Sequence, residues 1–203
     1  MKKIIAFLAL ICIISTLALT GCSFFTREII EFVELPDQYY IEYEVVGDDG
    51  TVKTIARGRD ANGNYYYRAS GVETIYLIDG EYYTAYDMSD GEYIAREDRV
   101  KESLIKEETK AFETYSNKSM ETISGVYDQV EGSELFGREC DNFTLSLNIL
   151  IYVQSYTMAV DRESGVCLSF WGTSTVLGME TAKNGFECVS FETEGVDFSS
   201  VIK

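Results

Sequence analysis

The stretch Tyr39-Tyr40-Ile41-Glu42-Tyr43-Glu44-Val45-Val46 sets the pattern from which the fold is read. Ile41, Tyr43 and Val45 alternate with Glu42 and Glu44, the period-two signature of a strand with one dry and one wet face. Working outward, Asp49-Gly50, Asn62-Gly63, Asp79-Gly80 and Asp90-Gly91 recur at short intervals. Such dipeptides adopt the positive φ angles of tight hairpin turns at little cost. Between them lie segments rich in β-branched and aromatic residues: Thr51 to Ala56, Tyr65 to Ala69, Thr74 to Ile78, Tyr82 to Tyr86 and Tyr93 to Ala95. These predict an antiparallel meander of about six strands, each paired with its sequence neighbour.

The rhythm breaks at Asp98. Val100, Leu104, Ala111, Phe112 and Tyr115 fall at helical spacing, opposite a largely charged face, and predict a helix over 98–120. Met120, Ile123, Val126, Tyr127 and Val130 form a second, weaker stripe broken by Gly125. After Gly137, period two returns in Phe143, Leu145 and Leu147, then in Tyr156, Met158 and Val160. A turn is expected at Asp161 to Gly165, a returning arm over Val166 to Trp171, and another strand over Thr173 to Glu180. Asn184-Gly185 is read as the last hairpin turn, leading into Phe186 to Phe191. Val196 to Ile202 receives no assignment. The fold class is therefore α+β: one antiparallel sheet in two meanders, with a helix pair near 98–130 inserted between them.

This element order resembles the LolA-like half-barrel, a family of periplasmic lipoprotein carriers that also includes lipid-handling lipoproteins and the sensor domains of RseB-type regulators. The resemblance implies a strongly curved sheet partly closed by the inserted helices, over a single domain spanning 39–203. It rests on order alone, so no site residue is carried over. The phrase Tyr156-Thr157-Met158-Ala159-Val160-Asp161, followed by Gly165-Val166-Cys167-Leu168, is similar to uncharacterised clostridial lipoproteins.

The N-terminus has a separate character. Lys2 and Lys3 precede an apolar run from Ile4 to Ala18, and Leu19-Thr20-Gly21-Cys22 closes it. The run is short and lacks stop-transfer charges, which describes a secretory signal peptide over 1–21 and not a membrane span. A leucine three residues before a cysteine, with small residues between, resembles the bacterial lipobox. That resemblance implies cleavage between Gly21 and Cys22, a diacylglyceryl (palmitate-type) modification on the Cys22 sulfur, and anchorage on the outer face of the cell membrane. The alternative is an ordinary signal peptide that happens to contain a cysteine. Under the lipobox reading residues 22–38 are the lipid anchor and a short approach, with a brief helix from Thr26 stopped by Pro36.

Composition narrows the function further. Thirty-four acidic residues against seventeen basic ones give a net charge of −17, which disfavours nucleic acid and anionic lipid headgroups as partners. The acidic domain is therefore expected to stand off the membrane, held by its lipid and not by its surface. The chain contains no histidine, so the commonest general base and metal ligand are missing. Cys140, Cys167 and Cys188 remain after Cys12 and Cys22 are set aside, and no CxxC pair occurs. One bridge plus a thiol, or three buried thiols, are both open. Asp60, Asn62 and Asn64 alternate as calcium loops begin, but the following glycine and glutamate are out of place, and turn chemistry explains them. No cofactor, metal site or catalytic pair is expected.

Fifteen tyrosines are the unusual feature. Tyr43, Tyr65, Tyr67 and Tyr82 are the candidate ligand-binding residues, on the argument that rings along one face of a curved sheet can take a hydrophobic or amphipathic ligand. Structural packing of strand aromatics is the competing explanation, and alternation allows at most half of each adjacent group to share a face. Two functions follow: a lipid-anchored carrier of a hydrophobic ligand, or an envelope binding or sensor module that recognises a protein or glycan without an internal cavity. A filled core beneath the helices with an exposed apolar patch elsewhere would favour the second.

Overall fold

The computed structural model describes residues 35–116 and 127–202. The signal segment, Gly21, Cys22, the approach helix from Thr26 and the stripe from Met120 to Val126 lie outside the described residues.

Six strands come first: β1 (Tyr39–Val46), β2 (Val52–Arg59), β3 (Tyr65–Ala69), β4 (Val72–Asp79), β5 (Tyr82–Ser89) and β6 (Glu92–Val100). A helical insert follows, made of α1 (Glu102–Glu108), a 3-10 turn (Lys110–Phe112) and α2 (Glu113–Ser116). The second meander is β7 (Asp128–Leu135), β8 (Arg138–Ile149), β9 (Tyr152–Asp161), β10 (Cys167–Val176) and β11 (Met179–Glu192). All join one antiparallel sheet in the order β6-β5-β4-β3-β2-β1-β11-β10-β9-β8-β7. The two meanders meet where the first strand pairs with the last, Ile41 opposite Phe191 and Val45 opposite Phe186. β6 and β7 are separate edges, so the sheet is a curved, unclosed half-barrel.

The pleat assigns the faces. Tyr39, Ile41, Tyr43 and Val45 point into the concavity, together with Tyr65, Tyr67, Tyr76, Tyr83, Phe143, Met158 and Phe186 from neighbouring strands. The insert covers this face through Ile105 and Phe112, both without solvent exposure. Cys140, Cys167 and Cys188 are buried thiols in the same core. On the convex side, Ala56, Tyr66 and Ile75 form a second, smaller core. The C-terminal segment, unassigned from sequence, closes it: Phe198 stacks on Tyr66 at 5.4 Å, directly over Gly58. Asp60 is the clasp. Its carboxylate accepts from the Asn62 and Asn64 amides (2.9 and 3.0 Å), from Asn64 Nδ2 (2.8 Å) and from the Phe198 amide (3.2 Å). The alternate Asp60, Asn62 and Asn64 thus lock a turn and hold the tail.

Several expectations need correction. The strand β6 runs on to Val100, because Tyr83 pairs with Val100 across the β5–β6 ladder, and the helix begins only at Glu102. Ile105, not Leu104, is then the inward residue. Val130 belongs to a strand, and β7 was hidden because nearly all its residues are exposed, leaving no alternation to read. Asn184-Gly185 is not a turn. Both residues lie within β11, and the hairpin turns at Leu177-Gly178 instead. Gly185 is a glycine for backbone and tertiary reasons together: its φ is 153°, and a Cβ there would lie 2.1 Å from the Phe170 carbonyl oxygen.

The registers place the turns on two rims. Asn62-Gly63, Asp79-Gly80, Phe136-Gly137 and Asp161 to Gly165 lie at one, where the chain also enters through Leu35 and Pro36. Gly47 to Gly50, Ser70-Gly71, Asp90-Gly91, Leu150-Ile151 and Leu177-Gly178 lie at the other.

Candidate functional site

Three of the four tyrosines singled out from sequence converge on the concave face, but as core. Tyr43 has no solvent exposure, and its hydroxyl donates to the Cys167 carbonyl at 2.9 Å. Tyr65 and Tyr67 are buried beside it. Tyr82 goes elsewhere: it pairs with Asp79 and faces the convex side, while its neighbour Tyr83, paired with Ile78, turns inward to within 5.7 Å of the Tyr65 ring. In an adjacent pair the pleat sends one ring to each face, and only the register decides which.

These tyrosines hold the insert in place. Tyr65 donates to Glu102 Oε1 at 3.0 Å, and Tyr76 donates to Glu108, so two phenols rising from the sheet reach two carboxylates on α1. Arg57 approaches Glu113 at 3.9 Å, which adds little at such a distance and exposure. Burial, reinforced by Glu102, pushes the Tyr65 phenol up to about 12. An unfolded chain releases that proton near 10. The contribution is therefore complete below about pH 10 and is lost as pH rises through about 12. The expected result is an alkaline loosening of the insert over that window, followed by tyrosinate absorbance and thermal melting. An unchanged profile in Tyr65→Phe would rule the linkage out.

Beyond the described part of the insert, the concave face carries further rings. Rings continue across the sheet from the filled half: Tyr43 meets Phe186 edge-on at 5.3 Å, Tyr115 meets Phe186 at 5.3 Å, Phe186 stacks on Phe170 at 6.0 Å, and Phe170 stacks on Tyr156 at 5.8 Å. Val45, Gly47, Thr114, Tyr115, Phe170 and Phe186 line a cleft of about 270 Å³ at the head of this ladder. Its walls are mainly apolar, with Asp48 and Asn184 at the mouth. Their side chains are hydrogen-bonded to each other, which joins the β1–β2 turn to β11. The volume sits just below the ~300–1,000 Å³ typical of small-molecule sites. Chemically the cleft can desolvate one aromatic or branched apolar group against ring faces and edges.

Sequence reasoning missed Phe170, Phe186 and Tyr156 as site residues. Each lay in a predicted strand, and nothing in the local pattern set them apart from ordinary core. Tyr115 was placed on an inward helical stripe, which is where it lies. Among the described residues, no cluster of three or more acidic or cysteine side chains is arranged to hold a metal ion, and no helix is long and apolar enough to cross a membrane.

An open antiparallel half-barrel with a helical cover and an aromatic cleft is the class that fold and site define. No protein-family model matches the chain, and no curated protein matches it. Among solved structures it is similar to "Crystal structure of MucB", with a TM-score of 0.39 and 12% identity over 84% of this chain and 58% of that one. It is also similar to "Crystal structure of MucB in complex with MucA(peri)", with a TM-score of 0.36 and 12% identity over 80% of this chain and 52% of that one. The chain thus spans little more than half the length of the structures it resembles.

Proposed function

We propose that this chain is an extracytoplasmic recognition module, anchored to the membrane through lipid on Cys22, whose concave cleft takes one apolar side chain or ring of a partner. The observation that carries this reading is the cleft itself, a shallow, open aromatic groove of about 270 Å³ beside a core already filled by Tyr43, Ile105 and Phe112. A recess of that size suits a side chain better than a whole acyl chain. Anchorage follows from the Leu19 to Cys22 motif, and two acyl chains hold a protein stably where one does so only marginally. No catalytic step is invoked.

The second reading, a carrier of a hydrophobic or amphipathic ligand such as a lipid, is favoured by the ring ladder that continues from Phe186 to Tyr156 beyond the cleft. One titration separates the two. Calorimetric titration of the purified chain reads binding at the cleft directly. Short phenylalanine-bearing peptides are expected to give saturable binding heats that are lost in Thr114→Trp, which fills the groove from an exposed wall position. Stoichiometric binding of palmitate, with no response to peptides, would overturn recognition in favour of the carrier. For the anchor, Cys22→Ser is expected to abolish lipid labelling and to release the chain from membranes or leave it unprocessed. Normal processing with continued retention would refute the lipid anchor.

A further inference from the structure

The rim opposite the chain entry is asymmetric. In the first meander its turns are polar, built on Asp48-Asp49-Gly50, Ser70-Gly71 and Asp90-Gly91. In the second they are aliphatic. Leu150 is 99% exposed and Leu177 67%, flanked by Ile149, Ile151 and Met179, all more than half exposed. The two hairpin tips are tied together, with the Leu177 amide donating to the Ile151 carbonyl at 2.9 Å and Val176 paired with Tyr152. They also protrude. The β1–β11 ladder stops at Val46 and Gly185, whereas β10 and β11 stay paired down to Val176 and Met179. Six further residues at ~3.4 Å each carry the tips roughly 20 Å past the end of β1.

Two further observations identify what meets this surface. First, charge is excluded from the strands that build it. No charged residue occurs from Asn142 to Val160 or from Val166 to Met179, in a chain of net charge −17. Glu180 and Lys183 are the only charges on the β11 overhang, and Lys183 lies over the Trp171 ring at 4.7 Å. Second, Leu150 and Leu177 occupy left-handed backbone positions, φ 55° and 53°. Asn or Gly would sit there without strain, and a bulky aliphatic residue is an outlier. Folding alone does not ask for leucine at either tip.

We propose that the paired tips of the β8–β9 and β10–β11 hairpins form a membrane-contacting edge, with Leu150 and Leu177 inserted into the apolar part of the bilayer that holds Cys22. This rests on the anchorage proposed above. Chain length is compatible with it: thirteen peptide steps separate Cys22 from Leu35. Fully extended, they reach about 45 Å. The sheet between entry rim and tips is spanned by the 10 residues of β9, about 33 Å. A lipid on Cys22 and the tips can thus share one membrane. The tips offer that membrane an uncharged apolar edge, while the acidic remainder of the domain is kept off it. Tyr152, half-buried with its hydroxyl bonded to Gln154 at 2.9 Å, stands one residue behind the tip, at a depth suited to the headgroup boundary.

The test uses the processed full chain in vesicles of dibrominated phosphatidylcholine, with a tryptophan introduced by Leu150→Trp or, on the polar half of the same rim, by Asp90→Trp. Quenching severalfold stronger for Leu150→Trp is the expected result. Leu150→Asn with Leu177→Asn should keep the protein folded, since asparagine tolerates the left-handed turn, and should weaken binding to the same vesicles in a chain that starts at Ser23 and so carries neither signal nor lipid. Equal quenching at positions 150 and 90 in protein that still sediments with vesicles overturns the inserted edge and leaves the anchor intact. Failure of the unmutated chain to sediment overturns the anchor instead. A concentration-dependent dimer that is lost in the asparagine variants, without quenching, overturns insertion in favour of a second copy at the tips.

Discussion

Asp161→Ala is expected to destabilise the domain by about 3–5 kcal/mol, the loss that follows when one member of a buried ion pair is removed. The Asp161 side chain is 1% exposed. It accepts from Arg138 Nε at 3.0 Å and Nη2 at 2.9 Å, from the Ser164 amide at 2.9 Å and from the Ser164 hydroxyl. Arg138 in turn lies over the Phe191 ring at 4.8 Å and bonds Glu163 at 2.7 Å. The alanine variant leaves a guanidinium facing a cavity at the junction of β8, β9 and β11. Urea unfolding would measure the loss. Replacing both partners, with Arg138→Met and Asp161→Leu, should recover most of it, because an apolar pair of similar volume requires no charge to be desolvated. A full-size loss in the double variant would show that Asp161 acts through its turn bonds to Ser164 and not through the pair.

The same carboxylate predicts a pH dependence. Burial works to raise its pKa, but the hydrogen bonds from Arg138 and Ser164 prevail, and the group is held below the ordinary carboxylate range. A depressed folded-state pKa gives stability that is complete above the unfolded value near 4 and is lost as pH falls through the lower folded one. Stability should therefore fall below about pH 4, and the slope should shrink in the double apolar variant.

Gly185→Ala is the second large effect, at about 3 kcal/mol or more, in the upper range for overpacking. A Cβ at this position would lie 2.1 Å from the Phe170 carbonyl oxygen and 2.9 Å from Trp171 Cα. Both are backbone atoms of the paired strand, so no rotamer change relieves the clash. β11 and β10 would have to separate beside Phe170 and Phe186, where the cleft lies. Loss of stability should thus be accompanied by loss of aromatic-peptide binding in the same calorimetric titration. Gly178→Ala is the control. Gly178 is left-handed at φ 78°, and a Cβ there would meet nothing within 4 Å, so the variant should lose only about 1–2 kcal/mol and leave the cleft unchanged. Similar losses at the two glycines would place the Gly185 effect in backbone conformation and not in crowding.

The sequence by itself determined the local elements of this protein wherever chemistry and periodicity coincide. The first meander is legible because alternating residues on β1 to β5 meet one dry face and because Asp-Gly and Asn-Gly carry their own turn geometry. The concave placement of Tyr43, Tyr65 and Tyr67 follows from the same alternation. Its limit shows at Tyr82 and Tyr83, where two identical residues compete for one face and only the register with Asp79 and Ile78 separates them. Tertiary structure alone decided the rest. The pairing of β1 with β11 joins residues far apart in the chain, and no local pattern announces it. Gly185 resembles a turn residue until Phe170 and Trp171 close over it. Leu150-Ile151 turns the chain without turn chemistry, Leu177 sits beside Gly178 at the other tip, and they make one exposed apolar edge only because the two hairpins pair. The cleft is built where Thr114 and Tyr115 of the mid-chain insert meet rings from β10 and β11 and the end of β1. Such a site depends on long-range contacts that no short window of sequence contains.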